Sequence, residues 1–358
     1  MSVIPTRLYR TLVELVGLPS TSGHEEQVRA YLEQCLARLG LTSQVDTAGN
    51  LIAMLPGKGS PILLNAHMDR VPPGLAHTPV LRHGVLYSDG LTNLGADDSA
   101  GIALVLEILT RVLEEQLPHP PLVVVFTVGE EAGLYGASAF DPTPWDVSAG
   151  IVFDNAFEAG VVVSQAAMYV AFDIEISGRT GHPGKDLSQT VNALEILHAA
   201  QYPHGSFNND QTRILLGRVS AGSARNAVPA QVQIEGELRS FEPPEARQRY
   251  MQAIHQAFEA AAQQHGGSVK IACNPHCGSY IVDENEPLLR LYREVLARRG
   301  QELLLRPTFI GSDTAAFRPR VKTFTISTGV AAEHSAQEHV PLEPLGVVVE
   351  DILRVLQS

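Results

Sequence analysis

Four short apolar runs constrain this chain more than any other feature: Pro61–Ala66, Leu122–Val128, Ala149–Phe153 and Thr323–Ser327. Each is too short for a helix, and the apolar runs are nearly continuous, as in strands covered on both faces. Helical patterns alternate with them, which predicts an α/β fold with a mostly parallel sheet covered by helices. Each run also leads into a side chain that can bind a metal ion or carry a proton. The first ends in His67-Met68-Asp69, the second in Gly129-Glu130-Glu131 and the third in Asp154, while the loop after the fourth carries His334. In open α/β sheets, ligands bind outside the carboxyl ends of the strands, so these residues are expected at one site. His67 sits on a rigid strand end, and Asp69, two residues on, is placed to accept from its ring.

The remaining chain fills in around those strands. Residues 5–40 read as two helices, with Leu8, Leu12 and Leu15 and then Val28, Leu32 and Leu36 at helical spacing. Pro19-Ser20-Thr21-Ser22-Gly23 separates them, Ser22 with Glu25 resembles a capping box, and Gly40 stops the second. Thr42–Leu55, centred on Ala48-Gly49-Asn50, reads as a β-hairpin. Residues 72–96 form a polar loop whose length points to function. A helix then runs from Leu94-Gly95-Ala96-Asp97-Asp98-Ser99-Ala100-Gly101 to about residue 115, and another covers about 345–356.

Between about 167 and 275 the texture changes. Tyr169–Ser177, Arg213–Val219, Val232–Arg239 and Ser268–Cys273 read as strands, and Leu187–Tyr202 and Pro243–His265 as helices. That β-α-β-β-α-β order is the ferredoxin-like split motif. The expected organisation is therefore residues 1–166 and 277–358 as one domain, interrupted by an inserted domain at 167–276.

Composition narrows the function. A formal net charge of −13 leaves no basic surplus to neutralise phosphates, which argues against nucleic-acid or anionic-membrane partners. No apolar run reaches membrane-spanning length, and residues 1–7 lack a signal-peptide layout. Three cysteines, Cys35, Cys273 and Cys277, are too few and too unevenly placed for a disulfide framework or a zinc knuckle. A cytoplasmic location is expected.

The candidates for chemistry are then His67, Asp97, Glu130, Glu131, Asp154 and His334. Taken singly, each has an ordinary reading. A Glu-Glu pair is usually solvated charge, an Asp-Asp pair before a helix usually an N-cap, and a lone Asp after a strand usually turn chemistry. Their convergence on one sheet edge is what singles them out. Two imidazoles with carboxylates suit zinc, with cobalt or manganese as substitutes. Five such ligands suffice for two ions if one carboxylate bridges them, at the separation of about 3.5–4 Å usual in two-metal hydrolases. The sixth is then free for acid–base work, and the Glu130-Glu131 pair offers it.

This set resembles the co-catalytic zinc metallopeptidase family that includes peptidase T, carboxypeptidase G, aminoacylase and succinyl-diaminopimelate desuccinylase. Ala66-His67-Met68-Asp69, Gly95-Ala96-Asp97-Asp98, Gly129-Glu130-Glu131-Ala132-Gly133, Phe153-Asp154 and His334-Ser335-Ala336-Gln337-Glu338 resemble its motifs in order. The resemblance implies that His67 and Asp154 hold one zinc, that Glu131 and His334 hold the other, and that Asp97 bridges. It makes Glu130 the general base, Asp69 the support for His67, and Asp97–Asp98 a cis peptide.

Gly181-His182-Pro183-Gly184 is similar to the peptidase T form of the inserted-domain motif. Its histidine, His182, is implied to help stabilise the oxyanion in a partner subunit. Asn226-Ala227-Val228-Pro229 and Arg239 are similar to substrate-binding segments, and Gly311-Ser312-Asp313 to the loop facing them. One departure is Ser99, where many members have Lys after the Asp-Asp pair.

The expectation is thus a homodimer through the inserted lid/dimerisation domain, with two zinc ions per subunit. It would hydrolyse short peptides as an aminopeptidase of the tripeptidase kind, by attack of a metal-bridged water. The same centre would serve a carboxypeptidase, a dipeptidase or an N-acyl amino acid amidohydrolase. An inactive metal-binding scaffold is the remote alternative; loss of a ligand or of Glu130 would point to it, and neither is lost.

Overall fold

The computed structural model describes residues 6–73, 77–154, 157–185 and 187–358. Residue 5 of the predicted first helix and residues 74–76 of the predicted loop lie outside the described residues. In chain order the elements are α1 (Thr6–Val16), α2 (Glu26–Arg38), β1 (Ser43–Val45), β2 (Leu51–Leu55), β3 (Ile62–His67), β4 (Val80–Arg82) and β5 (Val85–Tyr87). They continue as α3 (Ala96–Glu114), β6 (Leu122–Thr127), α4 (Tyr135–Ala139), β7 (Ala149–Phe153), β8 (Val162–Ala166), β9 (Met168–Ser177), α5 (Ala193–Ala199) and β10 (Gly205–Phe207). Then come β11 (Thr212–Ala221), β12 (Gln231–Ser240), α6 (Pro244–His265), β13 (Ser268–Cys277), β14 (Tyr280–Ile281) and α7 (Pro287–Arg298). The last are β15 (Leu305–Thr308), α8 (Asp313–Phe317), β16 (Lys322–Ile326), β17 (His339–Pro341) and α9 (Leu342–Leu356).

The chain divides into two compact units, residues 1–165 with 280–358, and residues 166–279. The first holds a sheet of order β1-β2-β6-β3-β7-β16-β8-β14, with β15 beside β8. Its centre, β6-β3-β7-β16, is parallel, so these four strands end on one edge. β2 and β8 flank this centre antiparallel to it, and β1 pairs antiparallel with β2. Every residue of β6 is buried, as expected of a strand covered on both faces. On one face Leu63, Val123, Val125 and Val152 pack with Phe140 and Phe317. Helix α3, buried on nearly all sides, crosses β3 and β7 and packs against α1 and α9. Wholly buried Phe126, Phe153 and Phe324 each contribute about 2–3 kcal/mol of hydrophobic stabilisation.

Two local expectations are corrected. The 72–96 stretch contains a short hairpin, β4 and β5, which pairs with β17 in a three-stranded sheet. The Ser22–Glu25 capping box does not form. The Ser22 hydroxyl donates instead to Asp69 Oδ2 at 2.7 Å, and Glu25 Oε1 accepts the Gly23 and Gly129 amides at 2.8 and 3.2 Å. A buried carboxylate and a buried loop amide outcompete a local helix cap, because leaving either unpaired away from water costs more. The hairpin prediction holds: Asp46 Oδ1 accepts the Ala48, Gly49 and Asn50 amides and turns β1 into β2.

The second unit is an antiparallel sheet of order β10-β11-β12-β9-β13 with α5 and α6, the expected split motif plus one short edge strand. Alternate residues of β9, Phe172, Ile174 and Ile176, pack under Ile196 of α5 and Ile254 and Phe258 of α6. The predicted helix at Leu187–Tyr202 shrinks to α5. Val191 exchanges backbone bonds with Arg179, and the Asn192 side chain then accepts the Leu194 amide at 3.0 Å as an N-cap. β13 runs on to Cys277 because it is an edge strand, where Pro275 at an irregularity removes no ladder bond.

One polar group is sealed behind β3 and β6. Asp313 of α8 is 1% exposed; its Oδ2 accepts the Thr127 hydroxyl, and its Oδ1 has no protein partner. Burial pushes its pKa up from 3.8 to about 6 against the bond from Thr127. The folded state therefore holds this proton more tightly than the unfolded chain, so stability is lost as pH rises from about 4 to about 6. Asp313→Asn removes that loss. In urea denaturation of chelator-treated protein, the stability of the variant relative to wild type should rise by on the order of 2–3 kcal/mol between about pH 4.5 and pH 8. A difference that does not change with pH contradicts this account.

Candidate metal centre

The parallel strands deliver their ends to one edge, and the site is built there. His67 closes β3 and is 3% exposed. Its Nδ1 faces the Asp69 backbone carbonyl at 3.0 Å and the Asp69 carboxylate at 3.4 Å. A carbonyl can only accept, so Nδ1 carries the hydrogen and Nε2 is left as the outward ligand atom. That Nε2 lies 3.3 Å from Asp97 Oδ1. The other Asp97 oxygen, Oδ2, lies 3.2 Å from His334 Nε2, which is also 2.8 Å from Glu131 Oε1. Asp97 therefore presents one oxygen to each imidazole. His67, Asp97 and Glu131 each offer a ligand atom within 4.8 Å of the others.

The adjacent acids divide their duties. Asp97 and Asp98 are joined by a cis peptide, matching the expectation. Asp98 does the ordinary work of an N-cap, accepting the Gly101 amide at 2.9 Å, and with its other oxygen it accepts the His67 amide at 3.2 Å. Residue 101 must be glycine for this, since a Cβ there would come within 2.4 Å of Asp98 Oδ1 and 2.5 Å of the Phe153 carbonyl. Asp69 holds more than His67: its carboxylate accepts the Glu130 amide at 2.9 Å and the Glu131 amide at 3.1 Å. Asp154, 7% exposed, follows β7, and its charge acts on both Asp98 and Glu130.

Asp97, Asp98, Glu130, Glu131 and Asp154 thus surround two imidazoles. Burial alone would lower His67, yet its hydrogen bonds to Asp69 and Asp97 and the Glu130 charge hold it well above the usual histidine value. Hydrogen bonds to Asp97 and Glu131 raise His334 to about 10. Burial pushes Glu130 well above the ordinary carboxylate range, with Asp154 and Glu131 adding to it, and raises Glu131 as well. Burial acts the same way on Asp97, but bonds from His334 and His67 outweigh it and hold that carboxylate low. The cluster is short of positive charge by its own means. A divalent cation meets that need directly, and imidazole nitrogens with carboxylate oxygens are a donor set that fits one.

Ser312 is buried with its hydroxyl on Thr325 at 2.9 Å, and Gly311 precedes it, half-buried. In the second unit, His182 is exposed and its Nδ1 accepts the Gly184 amide at 3.1 Å. Asn226 is exposed in a segment tied to the same turn, where the Val228 amide donates to the Gly181 carbonyl at 3.0 Å. Arg239 pairs with Glu237 at 3.2 Å and lies 4.3 Å over the Tyr169 ring. The single-residue reading missed Ser22, Glu25, Asp98 and Glu338, whose carboxylates and hydroxyl hold the ligand loops. Asp98 and Glu338 stand inside the quoted motifs without a role of their own, and Ser22 and Glu25 carry only the spacing of a capping box.

Comparison with known proteins agrees with this geometry. Residues 50–211 match peptidase family M28, and residues 167–266 match a peptidase dimerisation domain. Peptidase T of Pectobacterium atrosepticum is 26% identical over 283 residues, covering 78% of this chain and 68% of its own. A tripeptidase crystal structure from Staphylococcus aureus superposes with a TM-score of 0.92 at 28% identity, over 98% of this chain and 97% of that one. The aminopeptidase PepT of Bacillus cereus does so with a TM-score of 0.87 at 28% identity, over 98% of each chain. With its sheet and its interrupting dimerisation domain, the chain resembles the tripeptidase and PepT enzymes over nearly its whole length and is a metal-dependent exopeptidase.

Proposed function

We propose that this protein is a dinuclear zinc aminopeptidase that removes the first residue of short peptides, tripeptides above all. The observation that carries the two-ion reading is Asp97, which turns one carboxylate oxygen to each of two imidazoles. His67 and Asp154 would hold one ion, Glu131 and His334 the other, and Asp97 both. Bound there, a pair of zinc ions supplies Lewis acidity that eases deprotonation of water and polarises the scissile carbonyl; cobalt or manganese would serve similarly.

The chain's own groups do the rest. Glu130 takes a proton from the water as its oxygen bonds to the carbonyl carbon, and returns it to the amine nitrogen as the C–N bond breaks. Asp69 fixes the backbone of this base through the Glu130 and Glu131 amides. The Gly184 amide on His182 Nδ1 places the imidazole hydrogen on Nε2, leaving an exposed donor suited to an oxyanion. We assign that role to the His182 of a partner subunit, in a homodimer formed through the dimerisation domain. Asn226 and Arg239, with the Gly311-Ser312 segment, are assigned to the substrate.

Replacing the base separates binding from chemistry. Glu130→Ala should retain its metal by elemental analysis while kcat falls about 10²–10⁴-fold; near-normal turnover would sink the assignment. The likeness to PepT and tripeptidase carries the aminopeptidase reading. A free tripeptide should lose its N-terminal residue at least about 100-fold faster than the N-acetylated form. Faster cleavage of the acetylated peptide would instead indicate a carboxypeptidase or an N-acyl amidohydrolase. Light scattering should give twice the chain mass, and a fully active monomer would exclude His182 acting between subunits.

A further inference from the structure

Glu338 is 1% exposed and stands four residues after His334, yet the chemistry above makes no use of it. Its Oε2 accepts the Leu94 and Gly95 amides at 2.7 and 2.9 Å, and its Oε1 accepts the Asp97 amide at 3.0 Å. Both oxygens are committed to backbone, so this carboxylate is not available to substrate.

The two segments it joins are each held from another side. Gly95 has φ +73°, and a Cβ there would meet the Arg70 side chain at 2.6 Å. The Arg70 guanidinium is itself anchored on the Leu15 and Val16 carbonyls at 2.6 and 3.1 Å. The 94–97 loop is therefore backed by Arg70 and turns its amides onto one carboxylate. Opposite it, Ala332 and His334 have φ +54° and +60°, conformations that non-glycine residues keep only when the surroundings impose them. Ala331 pairs with His339, whose ring stacks on Tyr87 at 5.2 Å, and the Ser88 amide donates to the Glu338 carbonyl at 3.0 Å. Glu338 is the side chain that ties this His334 segment to the loop carrying Asp97.

We propose that Glu338 is a positioning residue of the metal centre: by accepting the Leu94, Gly95 and Asp97 amides it sets the spacing of the Asp97 carboxylate from the His334 imidazole, and with it the hold on the ion they share. This rests on the metal-centre reading above.

The test compares wild type, Glu338→Gln, Glu338→Asp and, as a stability control, Leu342→Ala, which opens a cavity in the same segment away from the site. Each is loaded with Zn²⁺ and titrated with dipicolinate at a temperature where circular dichroism shows it folded. Retained zinc, kcat, KM and the melting temperature of the stripped protein are read. Glu338→Gln puts an NH₂ group against backbone N–H donors. It should release zinc at a chelator concentration about 10–100-fold lower, with a comparable fall in kcat and little change in KM. Glu338→Asp should fall between, and Leu342→Ala should melt earlier with its chelator midpoint unmoved. A Glu338→Gln midpoint equal to wild type, or shifted no further than that of Leu342→Ala, overturns the proposal. If Glu338→Gln does not fold, an unmoved midpoint in Glu338→Asp does the same, and failure of both to fold makes Glu338 a folding residue instead. Wild type that binds no zinc refutes the metal-centre reading itself, a result distinct from all of these.

Discussion

Electrostatic repulsion among buried acids is the constraint on which the rest of this structure depends. Two unit charges about 4 Å apart near a protein surface repel by about 4 kcal/mol, and here five carboxylates share one sheet edge with two imidazoles. Left on flexible loops, they would move apart. The protein prevents this without adding lysine or arginine to the cluster. It sets two further acids, Asp69 and Glu338, behind the cluster, and saturates these and Asp98 with backbone amides: Asp69 on residues 130 and 131, Asp98 on residues 67 and 101, Glu338 on residues 94, 95 and 97. The main chain at His67, Asp97, Glu130 and Glu131 is thereby fixed, and those side chains stay free to face a cation.

This explains which parts could be read from the sequence. The parallel centre of the sheet was legible because apolar runs of five to seven residues suit covered strands, and because the acids and histidines that follow them converge on one edge. His67, Glu130, Glu131 and Asp154 follow such runs directly. The flanking strands β8, β14 and β15 and the small β4–β5–β17 sheet carry too little periodicity to announce themselves. Ser22 and Glu25 show how a local pattern misleads. Their spacing is that of a capping box, but each has a partner more than 40 residues away whose need for a hydrogen bond is greater. The Asp97-Asp98 pair was ambiguous between ligand and N-cap; Asp98 takes the N-cap, and Asp97 turns its oxygens to the two imidazoles. Glu338 stood only as the last residue of the His334 motif, and its role was not legible there, since its three amides lie more than 240 residues earlier.

The second unit follows a different logic. One face of its sheet is committed to α5 and α6, and the order of its elements follows from that alternation alone. Across β9, β12 and β13, Tyr169 stacks on His276 at 4.7 Å and carries Arg239 over its ring, an aromatic and cationic row rather than an apolar one. Such a row keeps the planar guanidinium oriented without burying it, which suits recognition of a carboxylate or a peptide carbonyl.

The imidazoles and carboxylates of the candidate metal centre are spread from residue 67 to residue 334, and the strands that position them do not follow the chain in spatial order. β16, formed after the whole second unit, enters the first sheet between β7 and β8. Until it does so, the segment bearing His334 has no place to dock, and the edge holds carboxylates with a single imidazole. Hydrolytic competence is thus a property of the finished fold and not of any fragment. A chain still being made, or one cut within the second unit and separated, carries most of the acids and none of the peptidase.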